Sequence, residues 1–370
     1  MSKMTDELLW VALALALGER RATFRNLVAA FDDIGSIFNA SWRDLCQVRG
    51  VTRELASAIR RAPESAELQK EREIIARLGL KIVPLKSPDY PENLRHIPDP
   101  PGLLYVRGTL EAKDSFAIAI VGTRNCTHYG QQAAQSLGME LASMGLTVVS
   151  GLARGIDSYA HRGALMGKGR TIAVLGTGLD NIYPPEHAEL ANKIAASGAV
   201  ISELPAGVPP VPRNFPVRNR IISGLALGTV VVEAPAQSGA LITARLALEQ
   251  GREVFAVPGN ITAPTSRGTN LLIRQGAKSV LSARDIVEEI APEIKGMLHE
   301  ETLKEAAEAK LKLGPDERKI YQTLSQEPLH IDEITLATAL PQQIIGMGLF
   351  NLELKGLAKE LPGKLFVRTL

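Results

Sequence analysis

Through the middle of the chain, short unbroken apolar runs alternate with longer stretches of helical periodicity. Residues 115–121 (SFAIAIV) close on Gly122-Thr123-Arg124, 147–149 on Ser150-Gly151, and 171–175 on Gly176-Thr177-Gly178. Residues 229–232 run into Glu233-Ala234, and 253–257 into Pro258-Gly259-Asn260. Apolar runs of this length that do not alternate mark strands covered on both faces. Helical stretches between them predict an α/β fold, an extended Rossmann-like, doubly wound, mostly parallel sheet. The glycine-rich ends of five strands then gather along one edge, where such sheets hold their ligands.

The flanks read differently. Residues 1–80 are predicted all-helical, and the apolar stretch 8–17 (LLWVALALAL) is a buried helix. Asp6, Glu7 and the charged Glu19-Arg20-Arg21 do not suit a signal peptide, and ten residues cannot span a bilayer. Residues 42–59 fit a helix-hairpin-helix, with Gly50 at its turn and the following N–H groups open to a phosphate. They fit equally a plain helical hairpin in a small bundle, which is the preferred reading. Residues 84–108 hold Pro88, Pro91, Pro98, Pro100 and Pro101, which exclude a continuous helix and predict ordered, extended pieces packed on the sheet. Residues 316–324, 331–339 and 342–355 read as three helices and 361–368 as a hairpin, the order of a winged helix. The chain thus divides into a helical domain (1–80), the Rossmann-like domain (81–292), a charged linker (293–312) and a winged-helix-like domain (313–370).

Charge is balanced, with 42 Lys+Arg against 40 Asp+Glu. Any affinity for nucleic acid must therefore come from a local patch. The best candidate is Phe215-Pro216-Val217-Arg218-Asn219-Arg220, just ahead of an apolar helix. No acidic residue stands between Glu203 and Glu233, whereas Arg213, Arg218 and Arg220 do. Guanidinium forks match phosphate oxygens, and an aromatic ring offers a base a stacking face. Arg124 joins this set from the first glycine turn, which is a ready anion pocket. That turn matches neither G-x-G-x-x-G nor the Walker A pattern, so no nicotinamide or ATP cofactor is indicated. The third winged-helix segment carries only Glu353 and Lys355, and residues 308–370 hold eight basic and eight acidic residues. That unit suits a protein contact or regulation better than duplex DNA. Cys46 and Cys126 form no metal motif or disulfide framework. A helix start beside Cys126 would lower its pKa, although a passive role is preferred.

These stretches carry a resemblance. Val121-Gly122-Thr123-Arg124, SGLARGID (150–157) with His161, GTGLDNIYP (176–184), FPVRNRIISG (215–224), SGALITA (238–244), Pro258-Gly259-Asn260 and GTNLLIRQGA (268–277) run in order. Together they resemble the DprA/Smf family of DNA-processing proteins. His187, Ala226 and Ala240 depart from residues common in the family and are given no role. The resemblance implies a cytoplasmic homodimer without catalysis or metal that binds incoming single-stranded DNA in natural transformation and loads the recombinase RecA onto it. It implies DNA contacts at Gly122, Thr123, Arg124, Phe215, Arg218, Asn219 and Arg220, with backbone approach at Gly151, Gly176, Ser238 and Gly239. Arg154 and Lys278 are weaker candidates, since Arg154 could instead pair with Asp157 or Asp180 as scaffold. The winged helix and a SAM-like N-terminal domain also fit the resemblance.

Two other classes stay open. One is a nucleotide hydrolase resembling the phosphoribohydrolases, with Asp157, Asp180, Glu203 or Glu233 as a base. Glu233 precedes its glycine turn, however, where those enzymes place the glutamate after it. The other class is an adaptor docking proteins through its helical ends.

Overall fold

The computed structural model describes residues 5–294, 313–325, 327–354 and 357–368. Residues 1–293 form one compact unit and 294–370 a second. The linker expected over 293–312 lies almost wholly outside the described residues.

Six helices open the chain: α1 (Asp6–Leu17), α2 (Arg21–Ala30), α3 (Ile34–Asn39), α4 (Trp42–Gln47), α5 (Arg53–Arg61) and α6 (Ala66–Leu78). The apolar stretch read at 8–17 is α1, which buries Trp10, Val11, Ala12, Leu13 and Leu17. Its core is continuous with one face of the sheet, through Leu103, Tyr105, Leu175 and Val200. Beyond α6 come β1 (Lys81–Pro84), the one-turn α7 (Glu92–Arg95), β2 (Leu103–Gly108), β3 (Ala117–Val121), α8 (His128–Ser143), β4 (Thr147–Ser150), α9 (Ile156–Met166) and β5 (Thr171–Val174). Then follow α10 (Ala188–Ser197), β6 (Ala199–Ser202), α11 (Asn214–Leu225), β7 (Gly228–Val231), α12 (Gly239–Glu249), β8 (Glu253–Ala256), α13 (Arg267–Arg274), β9 (Lys278–Ser279) and α14 (Ala283–Ile294).

The nine strands form one sheet in the order β1-β2-β6-β5-β4-β3-β7-β8-β9. From β6 to β9 all pairings are parallel, while β2 pairs antiparallel with both β1 and β6. The proline-rich connector thus enters the sheet as its antiparallel edge and does not merely pack on it. It also admits α7, a single turn short enough to fit between Pro91 and Pro98. Tyr90 donates to the carbonyl of Pro101 at 2.9 Å and keeps the segment ordered.

Strand β3 is buried throughout because both faces are covered. Ala117, Ala119 and Val121 pack with α11 and α12, through Ile221, Ile222, Leu225, Ala240, Ala244 and Ala247. On the other face α8 and α9 approach closely. A Cβ at Gly163 would come within 2.1 Å of the Gln135 carbonyl, and one at Gly138 within 2.5 Å of the Ala160 carbonyl. Only glycine permits that backbone contact.

In the second unit, α15 (Pro315–Thr323), β10 (Leu329–His330), α16 (Ile331–Thr338), α17 (Gln342–Leu354), β11 (Ala358–Leu361) and β12 (Leu365–Arg368) surround Ile320, Ile334, Ile345, Leu349 and Phe366. The hairpin begins at Ala358, three residues earlier than expected, and β10 adds a third strand.

Candidate nucleic-acid interface

From β3 the chain steps outward through β4 and β5 to β6, then crosses back to set β7 on the other side of β3. That reversal parts the loops after β3 and β7 and opens a crevice at the carboxyl edge. A cleft of about 410 Å³ lies there. Gly122, Thr123 and Arg124 line it from the β3 loop, Phe215, Arg218 and Asn219 from α11, and Gln237, Ser238 and Gly239 from the start of α12.

The segment 215–220 lies within α11, not ahead of it. Pro216 is tolerated because it falls in the first turn, where its missing N–H has no helical partner to lose. The guanidinium of the exposed Arg124 stands 5.5 Å from the centroid of the Phe215 ring. Phe215 in turn leans on Tyr183, ring centroids 5.7 Å apart, and covers Gly176, where a Cβ would meet the ring at 3.0 Å. A smaller recess shares Arg124, Phe215 and Arg218 and extends the cleft to Arg154 and Tyr183.

Arg218 is the unusual group. It is 4 % exposed, yet it lines the cleft. Its Nη1 donates to the carbonyls of Gly151 (2.8 Å) and Val174, and its Nε donates to Asn219 Oδ1 at 3.3 Å. Gly151 makes room for it, since a Cβ there would sit 2.6–2.7 Å from three guanidinium atoms. Burial pulls the Arg218 pKa down to about 10, Asp157 opposing and Arg124 adding to the fall. The side chain therefore stays charged at neutral pH, a buried cation beside the exposed one of Arg124.

The glycine turns serve the protein more than a ligand. Thr123 N–H donates to the Glu233 carbonyl at 2.7 Å, Asn125 N–H to Thr123 Oγ1 at 3.3 Å, and Gly151 N–H to Asp157 Oδ2 at 3.1 Å. A Cβ at Gly122 would lie 2.5 Å from Ile156 Cγ1, so that glycine lets β3 and α9 meet. The N-terminus of α12 is more open. Ser238 Oγ accepts from Ala240 N–H at 3.3 Å, while Gly239 is exposed with no atom near its absent Cβ. The positive end of this 11-residue helix reaches the cleft.

Arg220 does not line the cleft. Residues two apart on a helix point to opposite sides, so Arg218 and Arg220 part company. Arg220 is bound by Glu203 through two bonds of 2.7 and 2.6 Å, and by the Asp99 carbonyl at 2.8 Å. Lys278 stands on the edge strand β9 and pairs with Glu289 at 2.6 Å, away from the cleft. The exposed Arg154 pairs with Glu186, and neither Asp157 nor Asp180 is its partner. Gln237, Ile222, Thr243 and Ala240 also line the cleft. Ile222, Ala240 and Thr243 fall inside stretches that carry the resemblance but offer no charge or ring to single them out, and the crossing that sets β7 beside β3 is what brings all four there.

The four carboxylates near strand ends hold loops. Asp157 accepts from the N–H groups of Gly151 and Ala153, and burial raises its pKa against the pull of Arg218. Asp180 accepts from Gly207 N–H at 2.8 Å, and Glu203 grips Arg220. Glu233 accepts from Thr127 N–H (2.8 Å) and Oγ1 (2.6 Å) and from Thr265 Oγ1 (3.3 Å). Burial, reinforced by the Glu233 carboxylate, pushes the Cys126 thiol up and not down as a bare helix start would. Among the described residues no group of three His, Cys, Asp or Glu side chains could hold a metal, and no helix is long and apolar enough to cross a membrane.

Residues 81–291 match the family described as DNA recombination-mediator protein A, and residues 304–364 match the DprA winged helix domain. The chain belongs to the DprA/Smf family. Relatives in this family include protein Smf of Escherichia coli K12, 42 % identical over 290 residues covering 76 % of each chain. The DNA processing protein DprA of Bacillus subtilis is 48 % identical over 214 residues, 57 % of this chain and 72 % of that one. The crystal structure of DprA from Streptococcus pneumoniae superposes with a TM-score of 0.68 at 34 % identity, covering 78 % of this chain and 98 % of its own. A Helicobacter pylori DprA structure, described for its single-stranded DNA binding mode, gives a TM-score of 0.51 at 31 % identity over 55 % of this chain and 93 % of its own.

Proposed function

We propose that this protein is a non-catalytic binder of single-stranded DNA, which it takes in the cleft between the β3 and β7 loops. It protects incoming DNA in natural transformation and delivers it to a RecA recombinase, acting as a cytoplasmic homodimer. The observation that carries the reading is Arg124 held on Phe215 above the buried Arg218, at the switch point of the sheet. A guanidinium beside an aromatic face is the pair that a phosphate and an unpaired base require. The H. pylori relative described for single-stranded DNA binding supports the choice of ligand. Engagement of all four strand-end carboxylates by the scaffold argues against a hydrolytic base. The winged-helix unit serves a protein contact, since α17 exposes Ile344, Met347 and Phe350 and has no basic residue.

The test is fluorescence anisotropy with labelled oligo-dT. Wild type should bind, with affinity falling as salt rises by about 0.7 log unit per log unit of salt for each phosphate contacted. Arg124→Ala and Phe215→Ala should weaken binding about tenfold or more, and Arg124→Ala should lower the salt slope by about 0.7. Binding left intact in both folded variants would place the site elsewhere.

A further inference from the structure

The N-terminal helices carry a feature that the cleft does not use. Trp42 opens α4 at the surface, 39 % exposed, and is the sole exposed large apolar side chain among described residues 5–80. Arg53 and Arg43 place their guanidinium carbons 4.8 and 5.4 Å from its ring centroid. Arg49 is exposed in the same turn, where Gly50, at φ +94°, returns the chain to the start of α5. Among the described residues no carboxylate forms an ion pair with Arg43, Arg49 or Arg53, although 17 such pairs occur elsewhere. The nearby acids are otherwise engaged. Asp44 accepts from Ser41 Oγ at 2.7 Å, and its own backbone N–H and Thr52, with a smaller pull from the Arg53 charge, hold Glu54 below the usual carboxylate range. Residues 41–61 contain five arginines and two acidic residues, in a chain whose net charge is only +2.

We propose that Trp42, with Arg43, Arg49 and Arg53, is a second contact for single-stranded DNA, taking one unpaired base on the indole and flanking phosphates on the arginines. The proposal rests on the single-strand reading of the cleft and extends it to a longer strand. The chemistry selects nucleic acid over a protein partner. A lone aromatic flanked by two guanidinium groups that form no ion pair lacks the apolar surround of a protein hot spot, but it matches the stacking platform and basic track of single-strand binders. A base entering the ring displaces one guanidinium, which is then free for the adjacent phosphate. Base stacking is the stronger contact, because an exposed cation–π pair is worth little.

The chain has two tryptophans. Trp10 is 5 % exposed and packed on Phe24, so DNA that stacks on an indole reports through Trp42. The full chain is titrated with oligo-dT of about 40 nucleotides, anisotropy and tryptophan emission being read together. The expected result is quenching that follows the binding isotherm. Trp42→Ala, and separately Arg43→Gln/Arg53→Gln, should lose about tenfold affinity for that oligomer yet stay within about twofold for one of about six nucleotides, enough for the cleft alone. The arginine pair leaves Trp42 and its helix in place, so its loss cannot be put down to misfolding at the indole. Binding without quenching, or arginine variants with wild-type affinity for the long oligomer, would overturn the second contact and leave the cleft standing. Absence of all binding by anisotropy would overturn both.

Discussion

Gly151→Ala is the sharpest probe of how the cleft is built. The new methyl would fall 2.6–2.7 Å from Nη1, Nη2 and Cζ of Arg218, well inside van der Waals contact. The guanidinium is buried and held by two backbone carbonyls, which leaves it little room to give way. Arg218 must move, and its bonds to the Gly151 and Val174 carbonyls go with it. Hydrogen bonds to a charged group are worth about 1.5–3 kcal/mol each. Partial recovery through new partners brings the expected loss to about 3 kcal/mol, or roughly 5 °C in Tm for a unit of this size. The assay is a double-mutant cycle by thermal and urea unfolding. In an Arg218→Ala background the three atoms nearest the methyl are gone, so Gly151→Ala should there cost under about 0.5 kcal/mol. An equal cost in both backgrounds, or a cost below about 1 kcal/mol in wild type, would refute the idea that Gly151 exists to admit Arg218. DNA affinity of Gly151→Ala should fall with the displaced cation even below the unfolding range.

Two further outcomes follow from the same geometry. Arg220→Ala leaves the mostly buried Glu203 with only the longer 4.0 Å pair to Arg21 and should cost about 3 kcal/mol, whereas Arg220→Met/Glu203→Leu should be near neutral; oligo-dT affinity of the folded double variant should match wild type, and a marked loss would return Arg220 to the DNA site. His161 is fully buried, and its Nδ1–H donates at 2.7 Å to a Thr171 hydroxyl whose own proton goes to the Val148 carbonyl, which leaves Nε2 without a partner. Burial, with the charges of His187 and Arg218, lowers its pKa to about 3. The unfolded chain thus binds the extra proton first, and stability falls with pH below about 6.5 by up to about 1.4 kcal/mol per unit until the folded pKa is reached. Urea unfolding at pH 6.5 and 5.0 should show a loss of about 2 kcal/mol that His161→Gln lacks; the same loss in both proteins would mean that other groups govern the acid side.

Period and punctuation alone determined much of this protein. Apolar runs as short as residues 117–121, closed by glycine, suit strands covered on both faces better than helices, and the glycine or polar residue ending each run marks the edge where such sheets hold ligands. The buried helix at 8–17 and the winged-helix order were equally local. Arg124 and Phe215 could be singled out because an arginine in a strand-end turn and an aromatic beside arginines carry chemistry at any orientation. Orientation itself was not local. Arg218 and Arg220 share a motif and differ by two positions, but the helix that contains them sends one beneath the cleft and the other to Glu203. Nothing in the sequence around Gly151 shows that its missing side chain makes room for the Arg218 guanidinium. The antiparallel edge made by β1 and β2 was hidden because strand partners 97 residues apart, as in Tyr105 and Ser202, leave no mark in either segment. Residue type and spacing fix which groups exist and which element holds them, while the direction each side chain faces depends on packing between elements distant in sequence, which only the tertiary structure decides.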